Sequence, residues 1–166
     1  MPLAPVPSVS ERLISLWLTL SGVVGKLFGT FAGGLVVFMI VGVGVDMVEV
    51  ERIRGALEDA KTGRRFRDRV YTEKEIQYCE RRQRKYESYA GRFAAKEAVM
   101  KALGRGWGSK VGWLDIVILP APGGKPEVYL HRKASAFAGE LGIQRLSLSI
   151  THTREYAMAY LIAQGE

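Results

Sequence analysis

Arg92-Phe93-Ala94-Ala95-Lys96-Glu97-Ala98-Val99-Met100-Lys101-Ala102-Leu103-Gly104 is a run of strong helix formers without a proline, closed by a glycine where a left-handed C-terminal cap would fall. Wound at about 100° per residue, it puts Ala94, Ala95, Ala98, Val99 and Ala102 on one half of the cylinder. Arg92, Lys96, Glu97 and Lys101 share the other half with Phe93, Met100 and Leu103. The small apolar side lets a helix lie close against a sheet. The other side sets a carboxylate beside three cations, which suits a site that binds a metal and phosphates together. Taken alone, the same residues also describe a solvated face with intrahelical ion pairs, because Phe93, Glu97 and Lys101 follow at four-residue steps with Glu ahead of Lys.

At 166 residues the chain suits one domain with a core of its own, and 48% apolar with 25% charged residues is a globular composition. A net charge of +7 attracts anions: a phosphate-rich small molecule, an acidic protein, nucleic acid or an anionic membrane. The single cysteine, Cys79, rules out an internal disulfide and fits a reducing compartment. With His131 and His152 as the only histidines, a structural zinc site is improbable.

Residues 1–38 read differently from the rest. They begin with Pro2, Pro5 and Pro7, then run from Leu13 to Phe38 with Lys26 as the only charge and five interrupting glycines. A signal or anchor competes with a dispensable extension ahead of a functional start at Met39, and the second is preferred for a reason given below. Ile40, Val41, Val43 and Val45 then form a β-branched run that reads as a buried strand with Asp46 at its C-terminal edge. Gly42 and Gly44 alternate on one face, so something must pack closely there. A helix is expected over 49–57, exposing Arg52 and Arg54, and a second basic cluster over 64–70. Thr72 to Glu75 has capping-box spacing, predicting a helix over about 73–82. Past a glycine-rich loop with Trp107 and Trp113, residues 115–119 and 127–130 read as antiparallel strands. A helix over about 133–141 stops at Gly142, and strands over 145–151 and 157–163 flank a turn at His152-Thr153-Arg154-Glu155.

Three blocks then acquire a joint meaning. They are Val41-Gly42-Val43-Gly44-Val45-Asp46 with Glu49 and Arg52-Ile53; Gly91-Arg92-Phe93-Ala94-Ala95-Lys96-Glu97-Ala98 with Lys101-Ala102-Leu103-Gly104; and Ser149-Ile150-Thr151-His152-Thr153 with Tyr156-Ala157. In this order, with Gly124-Lys125-Pro126 between the second and third, the chain resembles the holo-acyl-carrier-protein synthases of the phosphopantetheinyl transferase superfamily. The resemblance covers Met39 to about Gln164. Members begin with a methionine a few residues before the glycine-rich strand, which is why Met39 is taken as the functional start. The extension is the main departure from the family pattern.

The resemblance implies an α+β fold, a small antiparallel sheet packed against a long central helix plus shorter helices, in a single half-size unit. It implies transfer of 4′-phosphopantetheine from coenzyme A to a serine of acyl carrier protein, with Mg²⁺, in fatty acid biosynthesis. Asp46 and Glu97 are then expected as metal ligands, and Lys96, Glu97 and His152 as catalytic groups, Lys96 stabilising charge on the transferring phosphate. Lys101 is expected to hold the Glu97 carboxylate. His152 and Thr153 are expected to donate to a coenzyme A phosphate, and Arg92, Lys125 and Pro126 to line the nucleotide side. Acyl carrier proteins are acidic, so Arg52, Arg54, Arg64, Arg65 and Arg67 become docking candidates. A cytoplasmic homotrimer with sites between subunits is expected, Lys125 reaching in from a neighbour, with neither nucleic acid nor membrane as partner. His131 is read as a surface residue and Cys79 as packed rather than reactive. The rival readings are a basic nucleic-acid-binding module, which leaves the pairing of Asp46 with Glu97 unexplained, and loading of a peptide or polyketide synthase carrier domain. The shortness of the chain speaks against the latter.

Overall fold

The computed structural model describes residues 39–104 and 111–165. The expectations for residues 1–38 and for most of the glycine-rich loop fall outside them. In chain order the elements are β1 (Met39–Glu49), α1 (Val50–Glu58), α2 (Gly63–Val70), α3 (Glu73–Glu80), α4 (Lys85–Ala102), β2 (Ile116–Pro120), β3 (Pro126–Leu130), α5 (Arg132–Glu140), β4 (Ile143–His152) and β5 (Tyr156–Gly165). A short 3₁₀ turn, Trp113–Asp115, leads into β2. One antiparallel sheet has the order β1-β5-β4, and β2 and β3 form a separate hairpin. Among the described residues no helix is long and apolar enough to cross a membrane.

Local chemistry accounts for most boundaries. Thr72 and Glu75 complete a reciprocal capping box at the start of α3. Gly104 takes φ +67° just beyond α4, and Gly142 φ +68° just beyond α5, where a side chain would be strained. The basic cluster over 64–70 is itself a helix, α2. It follows a turn in which the Asp59 carboxylate accepts from the Thr62 and Lys61 backbone N–H groups and from the Thr62 hydroxyl. Those bonds, first of all from Thr62, hold the Asp59 carboxyl below its ordinary range.

The register of the large sheet decides what lies under α4. Opposed residues run in rows across β1, β5 and β4: Gly44–Leu161–Leu148, Asp46–Ala159–Ile150 and Val48–Ala157–His152. This is the core face, and α4 packs on it. A Cβ on Gly44 would sit 1.9 Å from the Ala98 carbonyl oxygen, and one on Gly42 2.1 Å from that of Ala102. Only glycine lets β1 come this near the helix, and Ala94, Ala95, Ala98 and Ala102 complete the close approach from the other side, all of them buried.

Two expectations need correction. The strand at Met39 is buried on one face alone: Val43, Val45 and Met47 stand on the opposite face at 47%, 44% and 62% exposure, beside Tyr156, Met158 and Tyr160 of β5. A β-branched run reads as buried whatever covers its second face, and within one chain nothing described covers this one. Asp46 also lies inside β1, three residues before its end. The second correction concerns α4, whose charged half is no solvated face. Arg92, Lys96 and Met100 are buried along with the alanines, so the helix is enclosed nearly all round.

Candidate active site

Asp46 and Glu97 arrive from β1 and α4. Asp46 shares the core face with Gly44 and Val48, at the point where the row still faces the helix but has cleared its tightest contact. The Glu97 carboxyl is raised above the ordinary carboxylate range, first by burial and then by the negative charge of Asp46, while Lys101 and Arg52 pull it down. The fold therefore brings these two residues, 51 apart in sequence, within electrostatic reach of each other. Lys101, expected to hold Glu97, directs its ammonium to Asp46 instead: Nζ donates to Asp46 Oδ1 at 2.9 Å and to the Val45 carbonyl at 2.9 Å. From α1, Arg52 adds a second cation near the pair.

Two half-enclosed carboxylates brought this near each other are suited to share a cation. No group of three or more His, Cys, Asp or Glu side chains gathers among the described residues. Asp46 and Glu97 thus offer two hard oxygen ligands, and Mg²⁺ fits such a set because it habitually keeps waters and takes its remaining oxygens from a bound phosphate.

A cavity of about 180 Å³ opens further back along α4, between that helix, the end of β4 and the β2–β3 hairpin. Glu87, Gly91, Arg92, Gly124, Pro126, Ile150 and His152 line it, with Tyr78 of α3. The structure thus brings Arg92, Pro126 and His152 together. Lys125 lies between two lining residues and is exposed. The Arg92 guanidinium lies 3.9 Å from the Tyr78 ring centre and gives Nη1 to the Ser88 carbonyl at 3.2 Å. Its Nε is buried with no partner among the described residues. A buried guanidinium with an N–H left open is matched by an anionic oxygen. From Arg92 to Glu97 the helix rises about 7.5 Å, and His152, two strands across from Val48, stands roughly 12 Å from Asp46 at ordinary strand spacings. An extended phosphorylated molecule with its head in the cavity therefore reaches the carboxylate pair.

Other expected residues fall elsewhere. Lys96 does not face this region. It is fully buried on another side of α4, where Nζ donates to the Val70 carbonyl (2.7 Å), Glu75 Oε2 (2.9 Å) and the Trp113 carbonyl (2.9 Å). An ammonium with all three protons engaged has none to give a phosphate, so the catalytic role expected for Lys96 is replaced by a structural one. The Thr153 hydroxyl accepts from the Glu155 and Tyr156 backbone N–H groups, at 3.2 and 3.0 Å, and so closes the β4–β5 turn. Cys79 is buried, and burial pushes its thiol up to about 12, leaving it unreactive. His131 is exposed just past β3. Sequence reading missed Glu87 and Tyr78. The signal available for Glu87 was its place four residues before Gly91, one turn back on the same helix.

A carboxylate pair beside a cavity with an open guanidinium, carried on one helix of an α+β frame, defines a group-transfer enzyme acting on phosphorylated substrates. The chain belongs to the 4′-phosphopantetheinyl transferase superfamily, whose family model matches residues 42–161. A holo-[acyl-carrier-protein] synthase from Solibacter usitatus is 48% identical over 127 residues, covering 76% of this chain and all of that protein. Among solved structures, the holo-[acyl-carrier-protein] synthase from Neisseria meningitidis superposes with a TM-score of 0.68 at 33% identity, covering 75% of this chain and 98% of that one. The one from Bacillus anthracis, solved in complex with CoA (3′,5′-ADP), gives a TM-score of 0.63 at 35% identity over 77% and 99% of the two chains.

Proposed function

We propose that this chain transfers 4′-phosphopantetheine from coenzyme A to a serine of apo acyl carrier protein in fatty acid biosynthesis, releasing 3′,5′-ADP. The observation that carries this reading is the meeting of Asp46 and Glu97 a short helical rise from the Arg92 and His152 cavity. The serine oxygen forms a new bond to phosphorus as the bond to the departing 3′,5′-ADP breaks. Asp46 and Glu97 would hold Mg²⁺, which when bound offsets charge on the diphosphate. Lys101 keeps the Asp46 carboxylate aimed, the Arg92 guanidinium on the cavity wall donates to a phosphate oxygen, and Pro126 and Lys125 border the nucleotide. His152 supplies a further polar contact in the same cavity.

The unit that performs the transfer is residues 39–166, with 1–38 dispensable for the reaction, and it works in the cytoplasm. Its acidic carrier docks on α1 and α2. Arg54 is paired there with Glu51 and Glu58, and Arg64 and Arg67 with Asp68, while Arg65 and Arg52, the latter also near the Glu97 carboxylate, make no ion pair of their own among the described residues. The test is mass spectrometry of apo carrier protein incubated with coenzyme A, Mg²⁺ and this protein, begun at Met1 or at Met39. A carrier that gains one phosphopantetheine is expected; an unchanged mass sinks the reading. In the same assay the Arg52→Glu, Arg65→Glu protein should show a carrier KM raised about tenfold at low salt. A KM that does not move would remove this docking face.

We also propose a homotrimer built on the outer face of the large sheet. There Val43 opposes Ile162, Val45 opposes Tyr160 and Met47 opposes Met158. An apolar strip of this kind marks an association site. Met47→Lys should shift sedimentation from trimer to monomer. A protein that sediments as a monomer before any substitution would defeat the assembly.

A further inference from the structure

Among the described residues Glu87 is the one acidic group lining a cavity otherwise suited to an anion. It sits in the first turn of α4 at 7% exposure. Its Oε1 makes only a long contact, 3.8 Å, to Arg84 Nη1, and its Oε2 lies 3.0 Å from Nδ1 of His152 at the end of β4. As the side chains stand, no donor among the described residues closes a hydrogen bond to Oε2, and the His152 ring is the polar group nearest to it. A carboxylate this far out of water is costly unless hydrogen-bonded, so the arrangement holds together when His152 carries a proton on Nδ1. As a ligand contact Glu87 would repel phosphate. Its presence is explained if it acts through the imidazole.

We infer that Glu87 is a positioning residue for His152, fixing the ring in the Nδ1–H form and leaving Nε2 as the atom that works in the cavity. In the neutral ring Nε2 is a bare acceptor. When the ring takes up a second proton, Nε2–H becomes a donor to a phosphate oxygen; the Glu87 carboxylate supplies the opposing charge against the like charge of Arg92, and Tyr78 and Ser88 are the other polar residues of the cavity wall. This rests on the transfer reading above. The step adds no new bond to the chemistry; it sets which nitrogen faces the substrate.

The chain has two histidines, so long-range ¹H–¹⁵N spectra of the full-length protein labelled in histidine resolve both rings, and His131→Gln identifies them. At a pH where the His152 ring is neutral, Nδ1 should carry the proton and Nε2 the shift of an unprotonated nitrogen. In Glu87→Ala the ring should revert to the Nε2–H form that free imidazole side chains favour. A wild-type ring already in the Nε2–H form, or one unchanged by Glu87→Ala, overturns the inference. In the transfer assay Glu87→Ala should lower kcat about 10- to 100-fold. In a His152→Ala background the same change should cost nothing further, because one interaction has been removed twice. Additive losses would instead assign Glu87 a structural role. The spectra need no turnover: a carrier that gains no mass defeats the transfer reading alone, and an Nε2–H ring in an active enzyme defeats this inference alone.

Discussion

The Glu97→Gln protein should keep its fold and lose roughly 100- to 1,000-fold in kcat/KM, the equivalent of about 3–4 kcal/mol of charge stabilisation at the reacting phosphate. Glutamine has nearly the same shape but no charge, so Asp46 is left as a lone carboxylate ligand. The loss should shrink as the Mg²⁺ concentration is raised, because part of it is metal affinity. Stability should move the opposite way to activity. The Glu97 carboxyl is raised by burial and by Asp46, so its ionised form is a burden on the metal-free protein, and the amide removes it. The sign follows from that shift. A carboxylate whose folded pKa lies above the unfolded one costs stability as pH rises through the interval between them, and the cost persists at neutral pH. A thermal midpoint equal to or slightly above wild type is therefore expected for Glu97→Gln without metal. Unchanged turnover, or turnover lost together with the fold, would refute the metal-ligand assignment.

The parts of this arrangement that local chemistry dictates are legible in the sequence. The Thr72 and Glu75 box, the caps at Gly104 and Gly142, and the paired strands around the His152 turn each depend on residues within a few positions of one another. Gly42 and Gly44 announced a close approach on one face, and the alanines of α4 announced the other half of it. Asp46 and Glu97 became candidates together only through the order of the three blocks, since periodicity places each on a face without saying which faces meet. The outer face of β1 was read as buried because Val43 and Val45 look the same whether a helix, a neighbour or water lies over them.

Lys96 was misread for a related reason. A wheel projection sets Lys96 beside Glu97 on the charged half of the helix, and an enclosed helix has no charged half. What lies opposite each residue depends on which element packs there, and the partner of Lys96 is 21 positions earlier, on α3. The capping-box spacing of Glu75 gives no sign of this second role. A residue completing a capping box is ordinarily at the surface, yet this one is fully buried and so needs more partners than the cap supplies. Its Oε2 accepts from the Thr72 N–H and hydroxyl, its Oε1 from the Ile118 N–H, and Lys96 completes the set.

That network ties α2, α3, the turn before β2, and β2 itself to the central helix, and its removal gives the second large effect expected. Lys96→Met should destabilise the protein by about 3–5 kcal/mol, because Glu75 is left as an uncompensated buried charge and the Val70 and Trp113 carbonyls lose their donor. For a domain of this size that corresponds to a fall of roughly 10–25 °C in the thermal midpoint. Burial first, and then the charge of Arg92, pull the Lys96 ammonium below its ordinary value against the raising effect of Glu75. Glu75→Leu in the Lys96→Met background should recover part of the loss. Recovery stays partial because Glu75 also caps α3 and receives the Ile118 N–H. Below its lowered midpoint, folded Lys96→Met protein should retain most of its kcat. A variant with wild-type thermal stability and no turnover would return Lys96 to the reacting phosphate, since a lysine that served the chemistry alone would leave the fold intact when removed.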